Sequence, residues 1–446
     1  MSTLPPGPRL PRVIQIYRWL RYPVDFLEGC ARRYGDVFTL RFPKTPPLVA
    51  FSDPEAVKEM FTGDPDVLHA GEANIILEPL MGQNSLLLID GERHRRERRL
   101  MTPPFRGDRM KAYGATMREA ANRSIDAWPV GTPFPIHEQT QAITLDIIFK
   151  TIFGMEESPR LATLRDGLVH GLALGSNPIY LLPIFRRNFG PLTAWREIAQ
   201  MMRDSDAILF EEFARRRAEG TSGRDDVLSM LLDARDEDGR AMTDQELRDQ
   251  MVTLMVAGHE TTATALAWAV HRMLAHPEAH ARLRAEIQEA GGGGPVDAEG
   301  AGRLEYLDAF IKETMRLNPI IPFVARLTKQ PVKIGGHEIP AGVVVAPAIY
   351  LTHRRPDVWP DPLRFDPERF IGARPNPYAY FPFGGGTRLC IGAAFATYEM
   401  KIVLAEIIRR TSLQPAPGHT VRIVRRSITF APSGGVPVVM ERPATS

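Results

Sequence analysis

FPFGGGTRLCIGAAFATYEMKIVLAEIIRR, residues 381–410, sets three glycines, an arginine and a cysteine on an irregular loop that passes directly into a helical pattern. Cys390 therefore sits where a loop opens into a helix. Backbone N–H groups at a helix N-terminus lack intrahelical acceptors and favour negative charge. That setting lowers a thiol's pKa and stabilises thiolate. Glycines 384–386 let the backbone approach a flat ligand closely, and Arg388 offers a cation to an anionic group. The alternative is a cysteine that only packs, the commoner fate of a lone thiol. The loop by itself leaves both readings open.

The rest of the composition narrows the class. The chain has 446 residues and a formal net charge of +2, so nothing drives it as a whole toward nucleic acid or an anionic membrane. Its two cysteines, Cys30 and Cys390, are too few for a disulfide framework, and no CxxC or HExxH zinc pattern occurs. Cys30, in EGCARRYGD, reads as an ordinary packed residue. The opening MSTLPPGPRLPR lacks the apolar run of a signal peptide, and no stretch of about 18 apolar residues follows. A soluble, cytoplasmic protein without a membrane span is expected.

Most of the chain reads as helix, with short strand-like runs. Residues 37–42 and 47–51 suggest a hairpin before a helix near Asp53–Thr62; a second β-rich patch spans 325–348. A last hairpin is predicted over 421–440, turning at Ser433-Gly434-Gly435. The clearest helix runs from about Thr243 to His276, with Thr243 and Glu246 at capping-box spacing and Pro277 ending it. The glycine-rich stretch 291–295 reads as a loop between helices of one core. The expected architecture is mainly α with small β-sheets, one domain over 1–446 with a β-rich lobe at about 36–70 and 325–350. Residues 177–192, apolar and broken by prolines, read equally as a mobile lid or a buried loop.

Within the long helix, AGHETT, residues 257–262, interrupts an apolar surface. Glycine inside a helix costs about 1 kcal/mol relative to alanine, a buried carboxylate costs more unless paired, and a mid-helix threonine can bond back to the preceding turn. The patch is either a local bulge with a chemical role or a polar seam between packed helices.

Phe383, Gly386, Arg388, Cys390 and Gly392 match the FxxGxRxCxG signature, so the chain resembles the cytochrome P450 family. The resemblance implies the P450 fold, with haem b held between the long central helix and the cysteine loop. Cys390 would be the proximal iron ligand, Arg388 a propionate partner, Phe383 a neighbour of the thiolate, and Gly384 and Gly392 points of close cofactor approach. A thiolate ligand pushes electron density onto iron and favours O–O cleavage. Ala257, Gly258 and Thr261 match the family's [A/G]GxxT helix. Dioxygen would bind at a bulge there, Thr261 would hydrogen-bond it, and Glu260 would relay protons. His259 reads as a bystander.

Other motifs fall in the family's order. Glu313 and Arg316 resemble its ExxR pair, and Arg369 its third partner; together they would brace the cysteine loop as a buried network without a catalytic role. Alone, such an i, i+3 pair means little. His94, Arg98 and Arg326 match positions that bind the haem propionates. Leu254, Ile320, Ile321, Val324, Ile428 and Thr429 are expected to line the substrate pocket, with parts of 73–88 and 254–257.

The expected activity is a monooxygenase that inserts one atom of O2 into a lipophilic small molecule of fatty acid, terpenoid or steroid class. With no fused flavin domain, it would draw NAD(P)H-derived electrons through a ferredoxin reductase and a ferredoxin, acting as a monomer. Arg95, Arg96 and Arg99 could form a basic docking patch for an acidic donor. Two alternatives remain: a peroxide-driven peroxygenase, and a non-enzymatic haem sensor or carrier.

Overall fold

The computed structural model describes residues 4–106, 109–154, 163–165, 167 and 195–441. The expected lid, 177–192, lies outside the described residues. The main helices are α1 (Arg12–Arg21), α2 (Pro23–Tyr34), α3 (Pro54–Thr62), α4 (Gly91–Met101), α5 (Arg109–Asp126), α6 (Ile136–Thr151), α7 (Trp195–Glu219), α8 (Asp244–Ala275), α9 (Pro277–Gly291), α10 (Glu305–Leu317) and α11 (Ala393–Arg410). The strands are β1 (Val37–Leu40), β2 (Leu48–Phe51), β3 (Leu68–His69), β4 (Phe134–Pro135), β5 (Arg326–Thr328), β6 (Val332–Ile334), β7 (His337–Ile339), β8 (Val344–Pro347), β9 (Ser412–Pro415), β10 (Ile423–Arg426), β11 (Thr429–Pro432) and β12 (Pro437–Glu441).

Helix α8 is the axis of the molecule. Its 32 residues span about 48 Å at 1.5 Å each. The predicted capping box is formed: Glu246 N–H donates to Thr243 Oγ1 at 3.2 Å, and Thr243 N–H donates to Glu246 Oε2 at 2.9 Å. Leu247, Met251, Leu266 and Val270 are buried in the largest core with residues of α5, α6 and α11. Helix α6 lies along α8 through a polar ladder at helical spacing. Thr140 Oγ1 donates to Ala263 O at 2.9 Å, Thr144 Oγ1 lies 2.9 Å from His259 Nδ1, and His137 Nε2 lies 3.1 Å from Thr264 Oγ1. Residues 137, 140, 141 and 144 share one face of α6, so one stripe makes every rung.

The largest sheet has strand order β1-β2-β8-β5-β3. β1 and β2 form the predicted antiparallel hairpin, with Val37 opposite Phe51, while β2 runs parallel to β8. Helix α3 starts where expected, with the Asp53 carboxylate accepting from Ala56 N–H at 3.0 Å. The last hairpin turns elsewhere than predicted. β10 pairs β11 through a tight turn at Ser427-Ile428, where Ser427 takes a positive φ of 53°. Ser433–Gly435 is a single helical turn instead, and it leads into β12, which joins β4 and β9 in another sheet. The Gly-Gly signal marked a change of sheet.

Candidate functional site

Cys390 precedes α11 by three residues, as its loop pattern implied. Its own N–H donates to Phe383 O at 3.0 Å and closes the loop. The thiol opens onto an internal cavity of about 1600 Å³. Burial pushes its pKa up; the Gly392 N–H and the Arg98 guanidinium pull the other way without prevailing. Helix-start stabilisation alone therefore does not make this sulfur a thiolate. A coordinated metal ion would deprotonate such a thiol outright.

The loop glycines serve two ends. A Cβ on Gly386 (φ 64°) would lie 2.2 Å from Phe61 O, and one on Gly385 would lie 2.3 Å from the Phe61 ring. These two are glycine because the loop packs on the end of α3, and neither lines the cavity. Gly384 and Gly392 do line it, and a Cβ on Gly392 would meet no protein atom within 4 Å. Of the triplet only Gly384 leaves room for a cofactor at the cavity, together with Gly392 after the cysteine.

His94, Arg98, Arg326 and Arg388 all line this cavity. Arg388 is held by Asp90, with its guanidinium also donating to Leu86 O at 3.1 Å and Ile89 O at 2.6 Å. Arg98 donates to Leu389 O at 2.6 Å, and Arg326 to Ala325 O at 2.8 Å. Burial pushes Arg326 and Arg388 down to about 10, so both stay charged at neutral pH. Burial and the nearby arginines push His94 down to about 3; it is a neutral hydrogen-bonding group, not a cation. Three clustered guanidinium groups with one carboxylate, Asp90, among them leave an excess of positive charge. The paired propionates of a haem would complement it, and the open face at Gly392 and the Cys390 thiol suit the same ligand.

Ala257, Gly258, Glu260 and Thr261 line the cavity from α8. The expected bulge is absent: α8 is unbroken through this patch, and Thr261 Oγ1 donates to Ala257 O at 2.5 Å. Gly258 is explained by packing, since its Cβ would come within 3.2 Å of Ile148 Cδ1 on α6. Glu260 Oε2 accepts from Gln141 Nε2 at 2.6 Å. Its Oε1 is buried without a hydrogen bond, 3.4 Å from Arg426 Nε and 3.8 Å from His137 Nε2. Burial raises the Glu260 pKa against the pull of Arg426 and Gln141. His259 meets α6. It is buried in the seam against Thr144, and burial pushes it down to about 4. Sequence reading missed Gln141, His137 and Arg426, which lie far from Glu260 along the chain and match no spacing pattern.

Glu313, Arg316 and Arg369 come together. Arg316 makes a bidentate pair with Glu313, Nε to Oε2 at 2.6 Å and Nη2 to Oε1 at 2.8 Å, with both side chains fully buried. Arg369 Nε stands 3.6 Å from Glu313 Oε1, which also accepts from Asp366 N–H at 2.8 Å. The link to the cysteine loop is His353, which the sequence did not reveal. Its carbonyl accepts from Arg316 Nη1 at 2.7 Å, and its Nε2 accepts from Phe381 N–H at 3.0 Å. Burial and adjacent arginines keep this imidazole neutral, which the acceptor role requires.

Leu254, Ile320, Ile321, Val324, Ile428 and Thr429 line the cavity, as do Ala73, Ile76, Leu80 and Leu86 from the 73–88 segment. The expected basic patch is different. Arg95 is paired with Glu92 and Asp66, Arg96 with Glu97 and Asp236, and Arg99 with Glu237. Each of the three thus has an acidic partner within the chain.

Comparison with known proteins agrees with this geometry. The family model described as Cytochrome P450 matches residues 4–435. A putative cytochrome P450 135B1 of Mycobacterium bovis is 42% identical over 97% of this chain and 90% of its own length. A putative cytochrome P450 135A1 of Mycobacterium tuberculosis is 37% identical over 97% of this chain and 94% of its own. The solved structure of retinoic acid bound cyanobacterial CYP120A1 superposes with a TM-score of 0.86 at 25% identity, covering 99% of this chain and 100% of that one. The haem domain of cytochrome P450DA superposes with a TM-score of 0.83 at 26% identity, covering 99% and 98%. The family's haem cofactor and its outside source of electrons accord with the arginine-rimmed cavity over Cys390, and the chain belongs to the cytochrome P450 family of monooxygenases.

Proposed function

We propose that the protein is a cytoplasmic, single-domain monomer. It inserts one atom of O2 into a lipophilic molecule of fatty acid, terpenoid or steroid class. Cys390 would ligate haem b, with Arg98, Arg326, Arg388 and neutral His94 around the propionates. Electrons would come from NAD(P)H through a ferredoxin reductase and a ferredoxin. Two unpaired cysteines suit a reducing compartment. Among the described residues no helix is long and apolar enough to cross a membrane.

The observation that carries this reading is Glu260 beside Thr261 in the cavity that Cys390 opens onto. Haem, when bound, supplies the redox chemistry that activates dioxygen. The chain supplies protons. Gln141 fixes Glu260 Oε2 and leaves Oε1 free of any hydrogen bond, and burial raises the pKa of the carboxyl against the pull of Arg426. Thr261 gives up one hydrogen bond, worth about 1 kcal/mol, when it turns from Ala257 O toward the cavity. A peroxygenase or a haem carrier has no use for such a pair. The test is Thr261→Ala. Donor oxidation should continue, product yield should fall by about 10²-fold, and the missing oxygen should appear as hydrogen peroxide. Unchanged coupling would remove Thr261 from the reaction.

The paired arginines also set an expectation for electron transfer. An exposed ion pair is worth about 0–1 kcal/mol. Charge reversal at Arg99, whose side chain is 58% exposed, should therefore slow reduction by an acidic ferredoxin less than about five-fold at low salt. A larger drop would make this helix face the docking surface after all.

A further inference from the structure

The tip of the β10–β11 hairpin reaches the cavity with two adjacent arginines, Arg425 and Arg426. Arg426 has a carboxylate partner in Glu260. Arg425 has none among the described residues. Its Nε donates to Ser427 O at 2.8 Å, its guanidinium carbon lies 4.7 Å from the Trp19 ring centre, and its Nη1 is buried without a hydrogen bond. Burial pushes it down to about 10, so it remains protonated at neutral pH.

The Trp19 ring stabilises the cation. It satisfies no N–H. A buried, charged donor without an acceptor is costly, and an anionic oxygen offsets that cost best because charge-assisted bonds are about twice as strong as neutral ones. His94, Arg98, Arg326 and Arg388 are carried by other elements of the fold than the β10–β11 hairpin that carries Arg425. Trp19, Leu48, Phe323 and Ile428 add apolar surface to the lining, beside the polar Ser427 and Thr429.

We infer that the cavity takes its substrate as a lipophilic carboxylate, with the carboxylate on Arg425 and the apolar body extending along the cavity that Cys390 opens onto. This rests on the reading above that the cavity is the substrate chamber of a haem monooxygenase. Ser427 O and the Trp19 ring restrain the guanidinium, so Arg425 needs little reordering to take an anionic oxygen.

The test uses purified haem-loaded protein and three ligand pairs: hexadecanoic acid, an isoprenoid acid and a steroid acid, each with its methyl ester. Binding is followed by the haem spin-state shift at neutral pH. At least one acid should bind about 10- to 100-fold tighter than its ester, the range of one charge-assisted contact. Arg425→Gln should abolish that preference and leave the ester's affinity within about three-fold, while Arg425→Lys should keep part of it. The inference is overturned if no acid outbinds its ester in the wild type, or if the preference survives in Arg425→Gln. Should the glutamine variant not load haem, the wild-type comparison and the lysine variant decide. A wild-type protein without the thiolate carbon monoxide band would instead overturn the underlying monooxygenase reading.

Discussion

Cys390→Ser is expected to lose the strongly red-shifted Soret band of the reduced carbon monoxide complex, and with it all substrate oxidation. The reason lies in the atoms around the sulfur. Cys390 is the only cysteine at the cavity, since Cys30 is buried in a separate cluster against Phe38 and Leu40. Burial resists ionisation of the group at position 390, and only Gly392 N–H and Arg98 oppose it. A thiol can ionise on iron from that starting point; a serine hydroxyl, far less acidic, gives the metal no comparable electron donor. The loop itself should survive, because its closing bond from the residue 390 N–H to Phe383 O uses backbone atoms alone. Haem content and melting temperature should therefore change much less than the spectrum. A variant that kept the red-shifted band would show that another group ligates the iron.

Signals carried by neighbouring residues were legible in the sequence. The capping box at Thr243, the stop at Pro277, the strand pair before α3 and the loop-to-helix step at Cys390 are each fixed by a few adjacent side chains. The structure places them within a residue or two of expectation. What was not legible depended on partners brought together by folding. Arg95 and Arg96 looked like a free basic face, but their partners Asp66 and Asp236 lie 29 and 140 positions away. His353 shows no pattern of its own, and it gains a role only because Arg316 and Phe381 meet on either side of it. The last turn was misplaced for a related reason. Gly434-Gly435 is the stronger local turn signal, yet Ser427 accepts the left-handed conformation because Arg425 and the β10–β11 register hold it there. The glycines at 385 and 386 accommodate Phe61, a neighbour that the local pattern does not show.

Arg316→Met is expected to cost about 3–5 kcal/mol, the penalty for leaving one member of a buried ion pair uncompensated. Glu313 would then stay fully buried with only the Asp366 N–H and the more distant Arg369 to hold its charge. Arg316 Nη1 and Nη2 also tie down the carbonyls of His353, Pro362 and Arg364, so the 353–366 segment would lose three of its hydrogen bonds to α10. Through the His353–Phe381 bond the damage reaches the start of the cysteine loop. Against a total stability of about 5–15 kcal/mol, such a loss should leave little haem-loaded protein at 37 °C. Denaturant titration of the haem-loaded form measures the cost directly, and a change below about 1 kcal/mol would mean the pair is not the brace. Glu313→Leu combined with Arg316→Met separates charge from anchoring. Removing both charges relieves the isolated carboxylate and should recover part of the stability. The three carbonyls would still lack their donor, so haem retention should recover less than the folding free energy does. Equal recovery of both would assign the network's whole effect to its buried charges and none to positioning the loop.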